Sequence, residues 1–223
     1  PAYNPLLARH ELGNAPGAVT LMVIPKYSVT RPDAPEPDGA FLKAICDYLD
    51  PRRLVTTELF LQGPAYKSIF ISVGISVVAG RNFSSAVVRE QVATRLREFL
   101  APVKPAAAGA LDDQTALLTT PSAAPDRKGW LLRRAVIKGE LAAEVARVPG
   151  VAMVNELILA DERFKEATGL DRIEMQGLEL PRIDGIQATV GPALPISALR
   201  GDSADGGKAP RTLVPLPTIP NEC

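Results

Sequence analysis

The segment from Ile69 to Val78 constrains the fold more than any other part of the chain. Ile69, Ile71, Val73, Ile75 and Val77 fall on every second position, so an extended strand projects all five side chains from one face, and that face must be buried. Between them stand Phe70, Ser72, Gly74, Ser76 and Val78, a mostly small and weakly polar set that suits a face against solvent or another backbone. This is an antiparallel-type strand at the centre of a stretch running from Leu54 to Leu100. The segment also has the character of a partner-binding edge, but core is the favoured reading. These residues specify a fold and no reaction site.

The flanking segments supply what the strand needs to bury itself. Ala18 to Ile24 is a short, nearly continuous apolar run closed by Pro25, a length that fits a buried strand. After Pro32, Pro35 and Pro37, the residues Phe41, Leu42, Ile45, Cys46 and Leu49 fall on one helical stripe. Asp38 is placed to cap that helix, and Pro51 ends it at Asp50. Leu54 to Gln62 alternates weakly, and Gly63-Pro64 is a turn signal that folds it back as a hairpin onto the long strand from Tyr66 to Ala79. Ser84 or Asn82 then caps a helix with Val88, Val92, Leu96, Phe99 and Leu100 on one side and Arg89, Glu90, Arg97 and Glu98 on its wet side.

Ala101 to Lys128 breaks the pattern with Pro102, Pro105, Pro121 and Pro125, and is read as a mobile insertion. A helix from about Lys138 follows, carrying Leu141, Val145 and Val148, and Pro149-Gly150 ends it before a closing strand from Val151 to Leu159. Asp161 to Gly177 is charged, with room for one short helix. Seven prolines between Pro181 and Pro220 argue for an extended arm thereafter. The expected fold is therefore α+β: an antiparallel or mixed sheet with helices packed on one face, in a domain over residues 18–160 with an insertion at 101–128. A leading arm over residues 1–17 arrives from an upstream region, since the chain starts at Pro1 with loop-like sequence, and residues 161–223 form the trailing arm.

Tests for chemistry return little. Twenty-five basic and twenty-five acidic residues cancel, removing the positive field expected of a nucleic-acid binder. No run approaches the roughly 18 apolar residues that span a bilayer, and the first residues lack the basic start and apolar core of a signal peptide. His10 is the one histidine and sits in the leading arm, while CxxC and HExxH spacings are absent. Asp112-Asp113 belongs to a solvated loop. Gly201, Gly206, Gly207 and Lys208 imitate a phosphate loop, but the spacing is one residue too long and Ala209 replaces the required hydroxyl residue. Arg200-Gly201-Asp202 spells an adhesion tripeptide that three letters in a tail match by chance. Arg127, Lys128, Arg133, Arg134 and Lys138 form the densest basic patch, near Trp130, read as a solvated edge ahead of a site for an acidic protein or nucleic acid. An RNA-recognition reading fails because Phe70 is the single aromatic of the central strand. Cys46 and Cys223 are far apart in sequence, so no disulfide scaffold is indicated and reducing surroundings are expected. No catalytic, cofactor-binding or metal-ligating residue is assigned.

Four segments carry a resemblance: PGAVTLMVIPK from Pro16, AICDYLDPRRLVTTELFLQGPAYKSIFISVGISVV from Ala44, REQVATRLREFLAPV from Arg89 and GWLLRRAVIKGELAAEVARVPGVAMVNELIL from Gly129. With the closing ELPRIDGIQATV from Glu179, this order resembles the C-terminal portion of baseplate J-like proteins, the wedge components of contractile phage tails and extracellular contractile injection systems. The most specific pieces are the helix end YLDPRR and the helix end VPGV, each running into a strand. The resemblance implies a non-enzymatic part assembled in the bacterial cytoplasm into a symmetric ring around the hub and spike and linked to the sheath. It implies no cofactor, no nucleic acid and no membrane insertion. The competing reading is a small-ligand-binding regulatory domain, because a strand-helix-strand-strand-helix unit can hold metabolites at a dimer edge.

Overall fold

The alternating isoleucines lie at the centre of a mixed sheet. The computed structural model describes residues 17–25, 33–78, 83–103, 129–163, 169–200 and 221–222. Strand β3 (Ala65–Val77) is paired on both edges, antiparallel with β5 (Val151–Asp161) and parallel with β7 (Glu179–Val190). Ile69, Ile71, Val73 and Ile75 are fully buried against Val88, Val92, Leu96 and Leu100 of helix α2 (Ser85–Leu100) and Leu141 and Val145 of helix α3 (Lys138–Ala146). Burying each such aliphatic side chain is worth about 1.5–3 kcal/mol. That is a large share of a net domain stability of about 5–15 kcal/mol.

The opposite face of β3 receives another backbone, as its small residues allow. A Cβ on Gly74 would lie 2.4 Å from the Gly191 carbonyl oxygen and 2.6 Å from the Ala193 nitrogen, so the chain crosses directly over this glycine. Three hydrogen bonds fix the crossing: the Gly191 N–H donates to the Ile75 carbonyl at 2.9 Å, Asn155 Nδ2 donates to the Gly191 carbonyl at 2.9 Å, and Thr189 Oγ1 donates to the Pro192 carbonyl at 2.7 Å. The short helix α4 (Ile196–Arg200) follows, packing Ile196 and Leu199 with Phe70, Ile158 and Ala160. The main helices share one face as expected, and α4 joins the other.

A second sheet has the order β1-β2-β8. Here β1 (Ala18–Met22) runs parallel to β2 (Glu58–Gln62), and β8 (Asn221–Glu222) pairs with β2 antiparallel. Helix α1 (Gly39–Leu49) covers it, placing Ile45, Cys46 and Leu49 on Leu42, Leu59 and Leu61. The Asp38 carboxylate accepts from the Phe41 N–H at 2.7 Å, the expected cap, and a 3-10 turn over Asp50–Arg52 carries Pro51 out of the helix. Met22 and Ile24 reach the main core and join the two sheets. A two-residue ladder between β4 (Val136–Ile137) and β6 (Arg172–Ile173) completes the pairing. Ser84 occupies the N-cap of α2 without a side-chain hydrogen bond, and Asn82 lies outside the described residues.

Three expectations are corrected. The hairpin does not form: β2 pairs with β1 and β8, while both edges of β3 are taken by β5 and β7. Leu59, Phe60 and Leu61 are all buried, the run of a strand covered on both faces, which read in sequence as weak alternation. Residues 161–223 are not one extended arm, because Glu179–Val190 is a sheet strand with Leu180 fully buried. Its Pro181 is compatible with this because β7 lies at a sheet edge, where a missing N–H need not break a ladder. Cys46 is disulfide-bonded, where the sequence spacing indicated no disulfide scaffold, since distance along the chain says nothing about distance in the fold. Between Asp161 and Gly177 the described residues hold β6 and no helix.

The leading arm before Gly17 and residues 104–128 of the insertion lie outside the described residues. The insertion's flanks meet: the Trp130 N–H donates to the Ala101 carbonyl at 2.9 Å, and a Cβ on Gly129 would lie 1.8 Å from the Pro102 oxygen. The segment therefore leaves and re-enters the domain at one point, and the core is continuous around it. Gly74→Ala is expected to push the Gly191–Ala193 crossing off the sheet and to lower stability by about 1–3 kcal/mol, read by denaturant unfolding. An unchanged midpoint would show that the crossing does not depend on the absent side chain.

Candidate functional site

Helices α2 and α3 are tied by a buried charge. Glu144 is 6% exposed, and Arg95 reaches its Oε2 through two nitrogens, at 2.7 Å and 2.9 Å. Arg147 donates to the other carboxylate oxygen, Oε1. A carboxylate this deep is tolerated because each oxygen meets a guanidinium, and removing a partner costs more than the intact pair contributes. Sequence pattern did not single out Glu144; its place on the buried side of α3 beside Leu141 and Val145 was the available signal.

This cluster forms part of the wall of an open groove of about 600 Å³ between α2 and the turn after α3. Val87, Val148 and Pro149 give it an apolar end, and Glu90, Glu98 and Arg95 a charged rim. Its ionisable groups are the carboxylates of Glu90 and Glu98 and the guanidiniums of Arg95 and Arg147. Among the described residues, no group of three or more His, Cys, Asp or Glu side chains is arranged to hold a metal ion. No described helix is long and apolar enough to cross a membrane. His10, Asp112, Asp113 and the glycine-lysine stretch from Gly201 lie outside the described residues.

The basic patch near Trp130 is built into local contacts. The Arg134 guanidinium lies 4.6 Å from the Trp130 ring and 5.8 Å from Phe99, and the two rings meet edge-on at 5.5 Å. Trp130 Nε1 donates to the Arg134 carbonyl at 3.0 Å, and Arg134 pairs with Glu140 at 2.9 Å. Lys138 stands 3.9 Å from Asp171. Arg134 and Lys138 thus serve the domain edge beside the root of the insertion, the reading favoured from sequence. Arg127 and Lys128 lie outside the described residues.

Two groups show displaced pKa values with structural causes. The Tyr66 hydroxyl is pushed up to about 12 by burial and then by Glu36, partly countered by Arg182, and it donates to the Pro35 carbonyl at 2.9 Å. Arg182 is raised above its ordinary value chiefly by its hydrogen bond to Asp184, with burial opposing. Both serve to hold segments around the start of β3 and β7.

The exposed apolar side chains concentrate elsewhere. The last turn of α1 presents Tyr48 at 61% exposure, and the loop after it presents Leu54 at 75% and Val55 at 100%. The loop that carries Leu54 and Val55 is braced: Arg52 lies 4.0 Å from the Tyr48 ring, Arg53 binds Asp50 at 2.7 Å and the Thr57 carbonyl at 2.8 Å, and the Thr57 N–H donates to the Leu54 carbonyl at 2.9 Å. Tyr48, Asp50, Arg52 and Arg53 belong to the YLDPRR segment, a packing pattern in the sequence, and Leu54 and Val55 follow it directly. A rigid loop with outward apolar residues binds with less ordering cost than a flexible one.

No family model and no curated protein matches the chain. Among solved structures, a chain in the cryo-EM structure of the anti-feeding prophage baseplate, 6-fold symmetrised, matches with a TM-score of 0.51 and 20% identity over 82% of this chain. The chain has the fold of a baseplate chain. It spans 32%, about a third, of the length of that chain.

Replacing Arg95 by Ala leaves Glu144 with Arg147 alone and is expected to cost about 1–3 kcal/mol in denaturant unfolding; no loss would mean the buried carboxylate is satisfied without it. Tyr66 keeps its proton in the fold where the unfolded chain loses it, near pH 10, so its contribution is intact below that pH and drains away as pH climbs toward 12. The stability gap between the native chain and Tyr66→Phe is expected to narrow across that window, and a gap independent of pH would contradict the assignment.

Proposed function

We propose that this chain is a structural component of the baseplate of a contractile injection particle or phage tail, acting as the C-terminal part of a wedge subunit. The observation that carries this reading is the likeness of fold to an anti-feeding prophage baseplate chain over 82% of the residues. The sequence resemblance to baseplate J-like proteins points to the same kind of machine. In this role the chain is non-enzymatic, sits in a symmetric ring around the hub and spike, is coupled to the sheath, and is assembled in the bacterial cytoplasm.

The surfaces suited to neighbouring subunits are the braced loop with Leu54 and Val55 and the groove along α2. A stable wedge contact is expected to bury at least about 1,200 Å² in total. The test is co-purification of the chain with the other baseplate proteins of its own system. The native chain is expected to co-purify with a wedge partner, and the double variant Leu54→Asp, Val55→Asp to lose at least tenfold of that recovery. Its melting temperature should stay close to native, because exposed substitutions usually change stability by less than about 0.5 kcal/mol. Failure of the native chain to recover any baseplate protein would overturn the proposal.

A further inference from the structure

We propose that α4, with the run from Leu194 that leads into it, is a hinged strap that lifts off the main sheet while the rest of the domain stays folded. The face it covers is the one opposite α2 and α3. The segment is fastened at one end. Gly191, in the left-handed region at φ +106°, turns the chain over Gly74. The Ala193 N–H donates to Glu156 Oε2 at 3.2 Å, adding to the three bonds that fix the crossing. Beyond Ala193 the buried contact comes from Ile196, the one buried side chain among the described residues from Leu194 to Leu199. Leu199 is partly buried against the same cluster, and Leu194 and Pro195 are exposed.

What lies beneath loosens the seat. Ser72 is fully buried, and its hydroxyl has no hydrogen-bond partner. Alternation along β3 puts it on the same face as Phe70 and Gly74. The crossing passes over Gly74 and the α4 cluster includes Phe70, so the strap spans the position between them. Ser72 also pairs across the ladder with Ile158, whose side chain packs with Ala160 and Ile196. Ser68, two residues before Phe70 on that face, shows the satisfied alternative: its hydroxyl accepts from Arg182 at 3.0 Å. A buried hydroxyl left unpaired forfeits its hydration without return. Closing the strap therefore sets the burial of Ile196 against the dehydration of Ser72, a narrow balance for a five-residue helix. Lifting hydrates Ser72 and uncovers Phe70, Ile158 and Ala160, while the isoleucine face stays packed on α2 and α3. The strap stands independently of the baseplate reading.

Variants of the intact chain test this by two independent readouts. Ser72→Cys places a thiol of similar size at the covered position, and its alkylation by iodoacetamide is followed across sub-denaturing urea, with labelling of the native chain subtracted. Labelling is expected to run at least about a hundredfold faster than global unfolding allows and to depend little on urea, because lifting a strap exposes little surface. Adding Ile196→Ala is expected to speed that labelling by at least about tenfold with the same weak urea dependence. In the second readout, Ser72→Ala removes the unpaired hydroxyl and is expected to slow amide exchange across residues 194–200 by about fivefold or more relative to the native chain. Labelling that follows global unfolding with its full urea dependence would overturn the strap. So would exchange in Ser72→Ala as fast as in the native chain, or faster.

Discussion

The fold depends on a single strand that has neither a free edge nor a free face. The β3 edges are occupied by β5 and β7, its isoleucine face is sealed by α2 and α3, and its small-residue face is crossed at Gly74 by the backbone of Gly191–Ala193. Such a strand cannot itself be a binding surface. The exposed apolar side chains and the groove are found at the periphery.

The periphery is built to stay in place. The loop after α1 is held by two arginines that bind its own backbone and carboxylates, and the groove wall is held by Glu144 between Arg95 and Arg147. Exposed ion pairs are worth little individually. The Glu144 cluster differs because its carboxylate is buried and tied to Arg95 of α2.

Much of the main sheet was legible in the sequence because its signals are local. The two-residue period of Ile69–Val77, the stripe of Val88, Val92 and Leu96, the cap at Asp38 and the stop at Pro149-Gly150 each report on a few neighbouring residues, and the structure bears each out. The errors came where pairing is long-range. Gly63-Pro64 reads as a hairpin turn because nothing nearby reveals that β3 has already been claimed by strands about eighty and one hundred and ten residues onward. Glu179–Val190 reads as an arm because Pro181 and Gly185 mask a strand that a sheet edge tolerates. Glu144 drew no reading from the sequence, since its two guanidinium partners meet it only after α2 and α3 pack. Exposed apolar positions leave the weakest trace, for a side chain such as Val55 obeys no period.

The central claim is that this chain is a fixed part of a baseplate ring. It is tested most directly by imaging intact particles from the organism that encodes the chain by cryo-electron microscopy and fitting the β5-β3-β7 sheet with α2 and α3 into the baseplate density. The expected result is one symmetric set of copies in the ring around the central spike, with the Leu54–Val55 loop buried against a neighbouring subunit. Particles whose baseplate is fully accounted for by other chains, with this protein found apart from them, would contradict it.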